Sequence, residues 1–123
     1  MATDSPVSGV RDHLFLLSPL FPDAKLGPGQ YHCPECAQVE GLLSFFPFLR
    51  SRIDVSYVDF PRPRPAVVAL VGPDNQGCPV LVLGAGSTAP TGAKVGPAGR
   101  AFVSGAAAIS EYLAGAHGIS RPH

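Results

Sequence analysis

Three cysteines occupy two places in this 123-residue chain: Cys33 and Cys36 lie in Cys33-Pro34-Glu35-Cys36, and Cys78 stands immediately before Pro79. Two thiols separated by two residues can close and open as a disulfide, and thiolates also bind soft or borderline metals. If the pair lies in the first turn of a helix, the unpaired backbone donors and the positive end of the dipole stabilise a thiolate on the first cysteine. Cys33 is then the nucleophile. Cys36, one turn later and less exposed, attacks the mixed disulfide formed at Cys33 and releases the reduced partner. The flanking charges oppose one another, because Glu35 disfavours the thiolate while His32 favours it when protonated. Glu40 follows Cys36 by four residues and shares its helix face, where a carboxylate could accept a proton during resolution; an unpaired Glu is more often simply solvated.

Cys78 opens a second chemistry. Cys33, Cys36, Cys78 and His32 together supply four donors of the kind that tetrahedral zinc takes, and an iron-sulfur cluster takes three thiolates with one further ligand. Without a second Cys-x-x-Cys in the chain, this spacing is less specific than that of a paired zinc ribbon. The bland alternative for Cys78 is a small buried apolar side chain. Three cysteines cannot all pair within one chain, and in a reducing compartment a Cys-x-x-Cys more often means redox work or a metal than a structural bridge.

The elements that must position these thiols follow from pattern. His13 to Leu17 is a nearly unbroken apolar run that suits a strand covered on both faces, and residues 19 to 32, with three prolines and two glycines, predict a long irregular loop walling the site. Val39, Leu42, Leu43, Phe46, Leu49 and Ile53 recur at intervals of three and four, which predicts a helix carrying Cys33 and Cys36 in its first turn. Pro47 removes a backbone donor, so this helix should kink or divide there. Val55 to Phe60 reads as a second strand, Ala66 to Val71 as a short helix with Pro65 at its first position, and Pro79 to Leu83 as a buried strand. Gly84 to Arg100 has five glycines and two prolines and predicts a mobile hairpin connection. Ala101 to Val103 reads as a strand. A last helix follows on Ile109, Tyr112, Leu113 and Ala116, with Ser104 as its N-cap and an end near Gly118.

Composition bounds the partners. Nine basic and nine acidic side chains give no net charge, hence no field to attract nucleic acid or an anionic membrane. The first ten residues contain no apolar signal core and no run approaches a membrane span. The expectation is a cytoplasmic protein of one domain spanning 1–123, with residues 1–11 flexible.

The order β-α-β-α-β-β-α, with Cys-x-x-Cys opening the first helix and a proline entering the third strand, resembles the thioredoxin-like superfamily over most of the chain. The resemblance implies an α/β fold with a four-stranded mixed sheet flanked by helices, and a cis-proline at Pro79 facing Cys33 and Cys36 across a binding groove that Cys78 borders. Tyr31 to Cys36 and Phe60 to Arg64 also look like a bacterial thioredoxin-like family of unknown function. Cys33-Pro34-Glu35-Cys36 shares its proline with glutaredoxin and periplasmic disulfide-oxidase motifs and departs from them at Glu35. Ala108-Ile109 and Tyr112-Leu113 resemble the corresponding helix of glutathione transferases, but Gly105-Ala106 stands where a transferase offers Glu-Ser to the γ-glutamyl group. With no helical second domain expected after His123, a complete transferase is not expected.

Three functions fit these residues. The leading expectation is a small thiol-disulfide oxidoreductase that needs no cofactor and acts on a protein or small-molecule disulfide. The second is a zinc or iron-sulfur protein, and the third is a non-enzymatic binding domain that keeps the fold. Arg62 and Arg64 could meet an anionic group but more often such residues solvate a loop. His117 and His123 are expected to be exposed and without partners.

Overall fold

β1 (His13–Leu17) is buried along its whole length because it is an interior strand of a sheet whose two faces are both covered by helices. Its alternate side chains serve two cores. Leu14 and Leu16 join one with Val39, Leu43, Ile109 and Leu113, and Phe15 joins the other with Val67, Val71, Val80 and Phe102. Each fully buried aliphatic or aromatic side chain of this kind contributes about 1.5–3 kcal/mol.

The computed structural model describes residues 10–123. Most of the segment 1–11 lies outside the described residues; its last member, Arg11, is tied down, with its Nε donating to the Arg52 carbonyl at 3.1 Å and 3.7 Å from the Asp54 carboxylate. After β1 come β2 (Phe21–Asp23), β3 (Gly27–Tyr31), α1 (Pro34–Phe45), a 3₁₀ turn (Pro47–Ser51), β4 (Asp54–Val58) and α2 (Pro65–Val71). A second 3₁₀ turn (Pro73–Asn75), β5 (Val80–Val82), β6 (Lys94–Val95), β7 (Ala101–Ser104) and α3 (Ala106–His117) complete the chain. The fold is α/β: a mixed five-stranded sheet in the order β4-β1-β5-β7-β6, with β1 and β4 parallel and the other pairs antiparallel.

Several local expectations need correction. The sheet has five strands rather than four, because Lys94 and Val95 pair with Phe102 and Ala101. The segment 84–100 is therefore partly ordered, and Gly96 explains how its chain approaches the body. A Cβ there would stand 1.9 Å from the Leu70 carbonyl oxygen, a position no other residue could occupy. The expected irregular loop at 19–32 contains the antiparallel β2–β3 hairpin. Its turn closes locally, as the Asp23 carboxylate accepts the Lys25 N–H and the Asp23 carbonyl accepts that of Leu26. Phe21 stacks on Phe60 at 4.3 Å and anchors the hairpin. At Pro47 the long helix divides, as its missing donor requires, and Leu49 and Ile53 continue the buried stripe beyond the break.

The least expected feature is Asp12, which is 4% exposed just before β1. One carboxylate oxygen accepts the Gly84 N–H at 2.8 Å and the Ser87 hydroxyl; the other accepts the Tyr112 hydroxyl at 2.6 Å and meets His117 Nε2 at 3.1 Å. His117, expected to be exposed, is thus an internal partner with 14% of its side chain accessible. Burial pushes the Asp12 pKa up, but these four partners together outweigh it and hold the group below its usual 3.8. Burial and the Asp12 contact push the Tyr112 phenol up to about 12.

Asp12→Ala should cost about 3 kcal/mol, since it strands several buried donors. The charge adds a pH signature. A depressed carboxylate stabilises the fold fully above the unfolded pKa of about 3.9 and loses that contribution as pH falls through its folded value. Urea titrations should therefore show the gap between the native chain and Asp12→Asn constant near neutrality and closing below about pH 4.

Candidate functional site

Cys33 is the N-cap of α1 in extended conformation, with Pro34 at the first helical position. A proline there sacrifices a donor that would lack a partner anyway, and its fixed φ starts the helix. The Cys33 sulfur takes the part that a Ser or Asp oxygen usually plays, accepting the Cys36 N–H at 3.2 Å. A capping sulfur meets the positive end of α1 directly.

Cys36 is 4% exposed and sits under the end of β1, where its sulfur accepts the Leu17 N–H at 3.4 Å. Burial pushes its thiol well above the usual range, and the contact with Cys33 adds to this, against the opposing Leu17 hydrogen bond. The two thiols therefore differ in character: one is half-buried at a helix end, and the other is enclosed. Cys33, Cys36, His32, Glu40, Tyr57 and Leu17 line a common cavity of about 660 Å³. His32 is exposed at its rim.

Glu40 is not simply solvated. It accepts the Tyr57 hydroxyl at 2.7 Å and an Arg50 guanidinium N–H at 2.9 Å, while the same guanidinium reaches the Tyr57 oxygen at 3.1 Å. Burial raises the Tyr57 pKa, with the Glu40 hydrogen bond acting in the same direction against Arg50. Tyr57 had no mark in the sequence beyond alternation in a strand; its role depends on the parallel pairing of β1 with β4.

Glu35 lies between the two cysteines and its carboxylate is committed elsewhere. Its Oε1 accepts the Ala106 N–H at 2.8 Å and so caps α3. Ser104, expected to be that cap, instead pairs with Val80 at the end of β7, and Gly105 takes the cap position with φ +90°. Gly105 also donates its N–H to the Pro79 carbonyl at 3.0 Å. The start of α3 thereby links the cysteine motif to the residue after Cys78.

The Cys78–Pro79 peptide bond is cis, as is Arg62–Pro63. The Cys33 thiol lies 3.7 Å from the Cys78 carbonyl oxygen, in a weak S–H···O contact. Cys78 itself is half-buried, lies outside the cavity lining, and has its sulfur 3.9 Å from the Gln76 carbonyl oxygen. Burial pushes its thiol up to about 11 despite the opposing charges of Arg64 and Arg62. Arg64 is no loop-solvating residue: it is 5% exposed and its guanidinium donates to the carbonyls of Phe60 and Gln76. Among the described residues, no group of three or more His, Cys, Asp and Glu side chains is arranged to hold a metal ion. No helix among them is long and apolar enough to cross a membrane.

The fold and site define an α/β protein with a Cys-x-x-Cys at a helix N-terminus. The chain belongs to the family described as "Protein of unknown function (DUF3088)", whose model matches residues 11–121. Neither the curated proteins nor the solved structures contain a match to it.

Glu35→Ala should remove the α3 cap at a cost of about 1 kcal/mol. Glu35→Gln, which retains an acceptor oxygen, should recover more than half of that loss in chemical denaturation.

Proposed function

We propose that this chain is a thioredoxin-like thiol-disulfide oxidoreductase of the cytoplasm, in which Cys33 attacks a disulfide and Cys36 resolves the product. The observation that carries this reading is the Cys33 sulfur at the N-cap of α1, 3.2 Å from the Cys36 N–H. The sheet supports the fold assignment, since β1 is flanked by parallel β4 and antiparallel β5, with α1 and α3 on one face and α2 on the other.

In the forward half-reaction the Cys33 thiolate attacks one sulfur of the partner disulfide, forming a mixed disulfide and expelling the other partner sulfur as a thiolate. Cys36 then loses its proton and attacks the Cys33 sulfur, which releases the second partner thiol and leaves the Cys33–Cys36 disulfide. The enclosed Cys36 is the slow participant because its thiolate is scarce at neutral pH. Glu40 lines the same cavity as Cys36 and is the carboxylate base assigned to take that proton.

The site is poorly made for glutathione. The Ala106 N–H that opens α3 is already taken by Glu35, and no Glu-Ser pair follows Ser104 to receive a γ-glutamyl group. A disulfide in a protein or in another small molecule is the better partner. Pro79, next to the Cys33 contact at Cys78, then borders the groove that receives it.

Cys33→Ser should reduce insulin-disulfide reductase activity to background, and a variant that retains full turnover would remove Cys33 as the nucleophile. Untagged protein should carry only background zinc and iron, whereas one equivalent of either would favour coordination by Cys33, Cys36, Cys78 and His32 instead. Turnover of the native chain should rise continuously from neutral to alkaline pH as Cys36 ionises; a profile that is flat there would place the slow step elsewhere.

A further inference from the structure

We infer that Cys78 is a second resolving thiol, which competes with Cys36 for the sulfur of Cys33 and gives the oxidised site a second intramolecular disulfide. This rests on the redox reading above and adds to it a role for the third cysteine.

Two independent observations converge on Cys78. The first is proximity: the Cys33 thiol touches the Cys78 backbone, at 3.7 Å from its carbonyl oxygen, and both residues pack on the same core. The Cys33 sulfur also acts electrostatically on the titration of Cys36 and of Cys78 alike. Cys33 is thus in contact with both residues, through the Cys36 N–H on one side and the Cys78 carbonyl on the other.

The second observation is a buried cation. Arg64 is 5% exposed, yet its hydrogen bonds go to the neutral carbonyl oxygens of Phe60 and Gln76, and its guanidinium lies over the Phe60 ring at 5.7 Å from the centroid. Among the described residues it has no carboxylate within ion-pair distance. A buried guanidinium without an anion is costly, and the Cys78 sulfur converges with it on one acceptor: Arg64 Nη1 lies 2.7 Å and the Cys78 sulfur 3.9 Å from the Gln76 carbonyl oxygen. The charge of Arg64 favours the ionised form of that sulfur, with Arg62 adding a further charge. Cys36 has no such cation among its influences; a backbone N–H is what favours its ionised form. Cys78 is thus a thiol that burial keeps protonated at rest and that Arg64 stabilises when the proton leaves.

The chemistry balances with any low-molecular-weight disulfide as oxidant. The Cys33 thiolate attacks oxidised glutathione, forming Cys33–S–S–glutathione and releasing one glutathione thiolate. The Cys78 thiolate then attacks the Cys33 sulfur, and the bond to glutathione breaks as the Cys33–Cys78 bond forms. The second glutathione thiolate leaves and takes up the proton that Cys78 gave to solvent. In the native chain the same product arises by exchange, when Cys78 attacks Cys33 of the Cys33–Cys36 disulfide and expels the Cys36 thiolate.

The test is the Cys36→Ser variant treated with oxidised glutathione, quenched in acid and analysed by intact mass and thiol labelling. The expected result is loss of both remaining thiols, a mass lower by two hydrogens and no retained glutathione, with formation faster at alkaline pH. Cys36→Ser/Cys78→Ser should instead hold glutathione on Cys33 as a stable mixed disulfide. If Cys36→Ser itself keeps glutathione on Cys33 with Cys78 still open to alkylation, the second resolving role is overturned while the nucleophile stands. If Cys33 forms no mixed disulfide with glutathione and none with a small uncharged disulfide such as 2-hydroxyethyl disulfide used in its place, both readings fall. Should the variant not fold, the native chain decides the matter: after partial oxidation, peptide mapping should find free thiol at Cys36 in some molecules and at Cys78 in others. Free thiol confined to Cys78 would overturn the inference.

Discussion

A single buried carboxylate organises the end of the sheet opposite the cysteines. Asp12 receives donors from the chain after β5, from Ser87 in the following connection, and from Tyr112 and His117 in α3. Burying a carboxylate is costly unless its acceptor sites are filled, and here each oxygen has two partners. The consequence reaches well beyond Asp12. The connection from β5 to β6 has little apolar surface of its own and is held at its start by this group, while α3 is fixed at its C-terminal turn against the sheet.

Glu35 does the corresponding work at the other end of α3. Its carboxylate closes the N-terminus of that helix while its backbone belongs to the first turn of α1. Together the two carboxylates hold α3 at both ends, with the β1 spine between Asp12 and the Leu17 contact to Cys36. The placement of Glu35 also has a chemical effect. A negative charge between two cysteines would work against a thiolate if it faced them, and directing it to the start of α3 spends it on a positive helix end instead. The Cys33–Cys36 motif and the helix packing are therefore parts of one arrangement.

The asymmetry of the thiols follows from which element covers each. Cys33 terminates a helix and faces the cavity, Cys36 is one turn deeper under β1, and Cys78 lies across from Cys33 beside a buried arginine. Glu40, Tyr57 and Arg50 form a small polar network on the far side of the same cavity. Their assembly depends on α1, the 3₁₀ turn after Pro47 and β4 folding back on one another, so the break at Pro47 is what delivers Arg50 to Glu40.

Much of the architecture was legible in local pattern. The doubly covered β1, the helix bearing Cys33 and Cys36, its division at Pro47, the proline-led α2 and the end of α3 at Gly118 are all written in apolar spacing and in the backbone limits of Pro and Gly. Those signals act over one or two turns of chain, so a sequence carries them intact. Asp12 and His117 lie 105 positions apart, and Glu35 reaches Ala106 across 71; no periodicity marks such pairs. Arg64 looked like a surface charge in a proline-rich loop, and only the approach of residue 76 turned it into a buried group. The sequence alone determined which residues could do thiol chemistry and the helix end on which two of them stand. The tertiary structure decided how differently the three sulfurs are placed, because burial and nearby charge come from segments that meet only when the sheet closes.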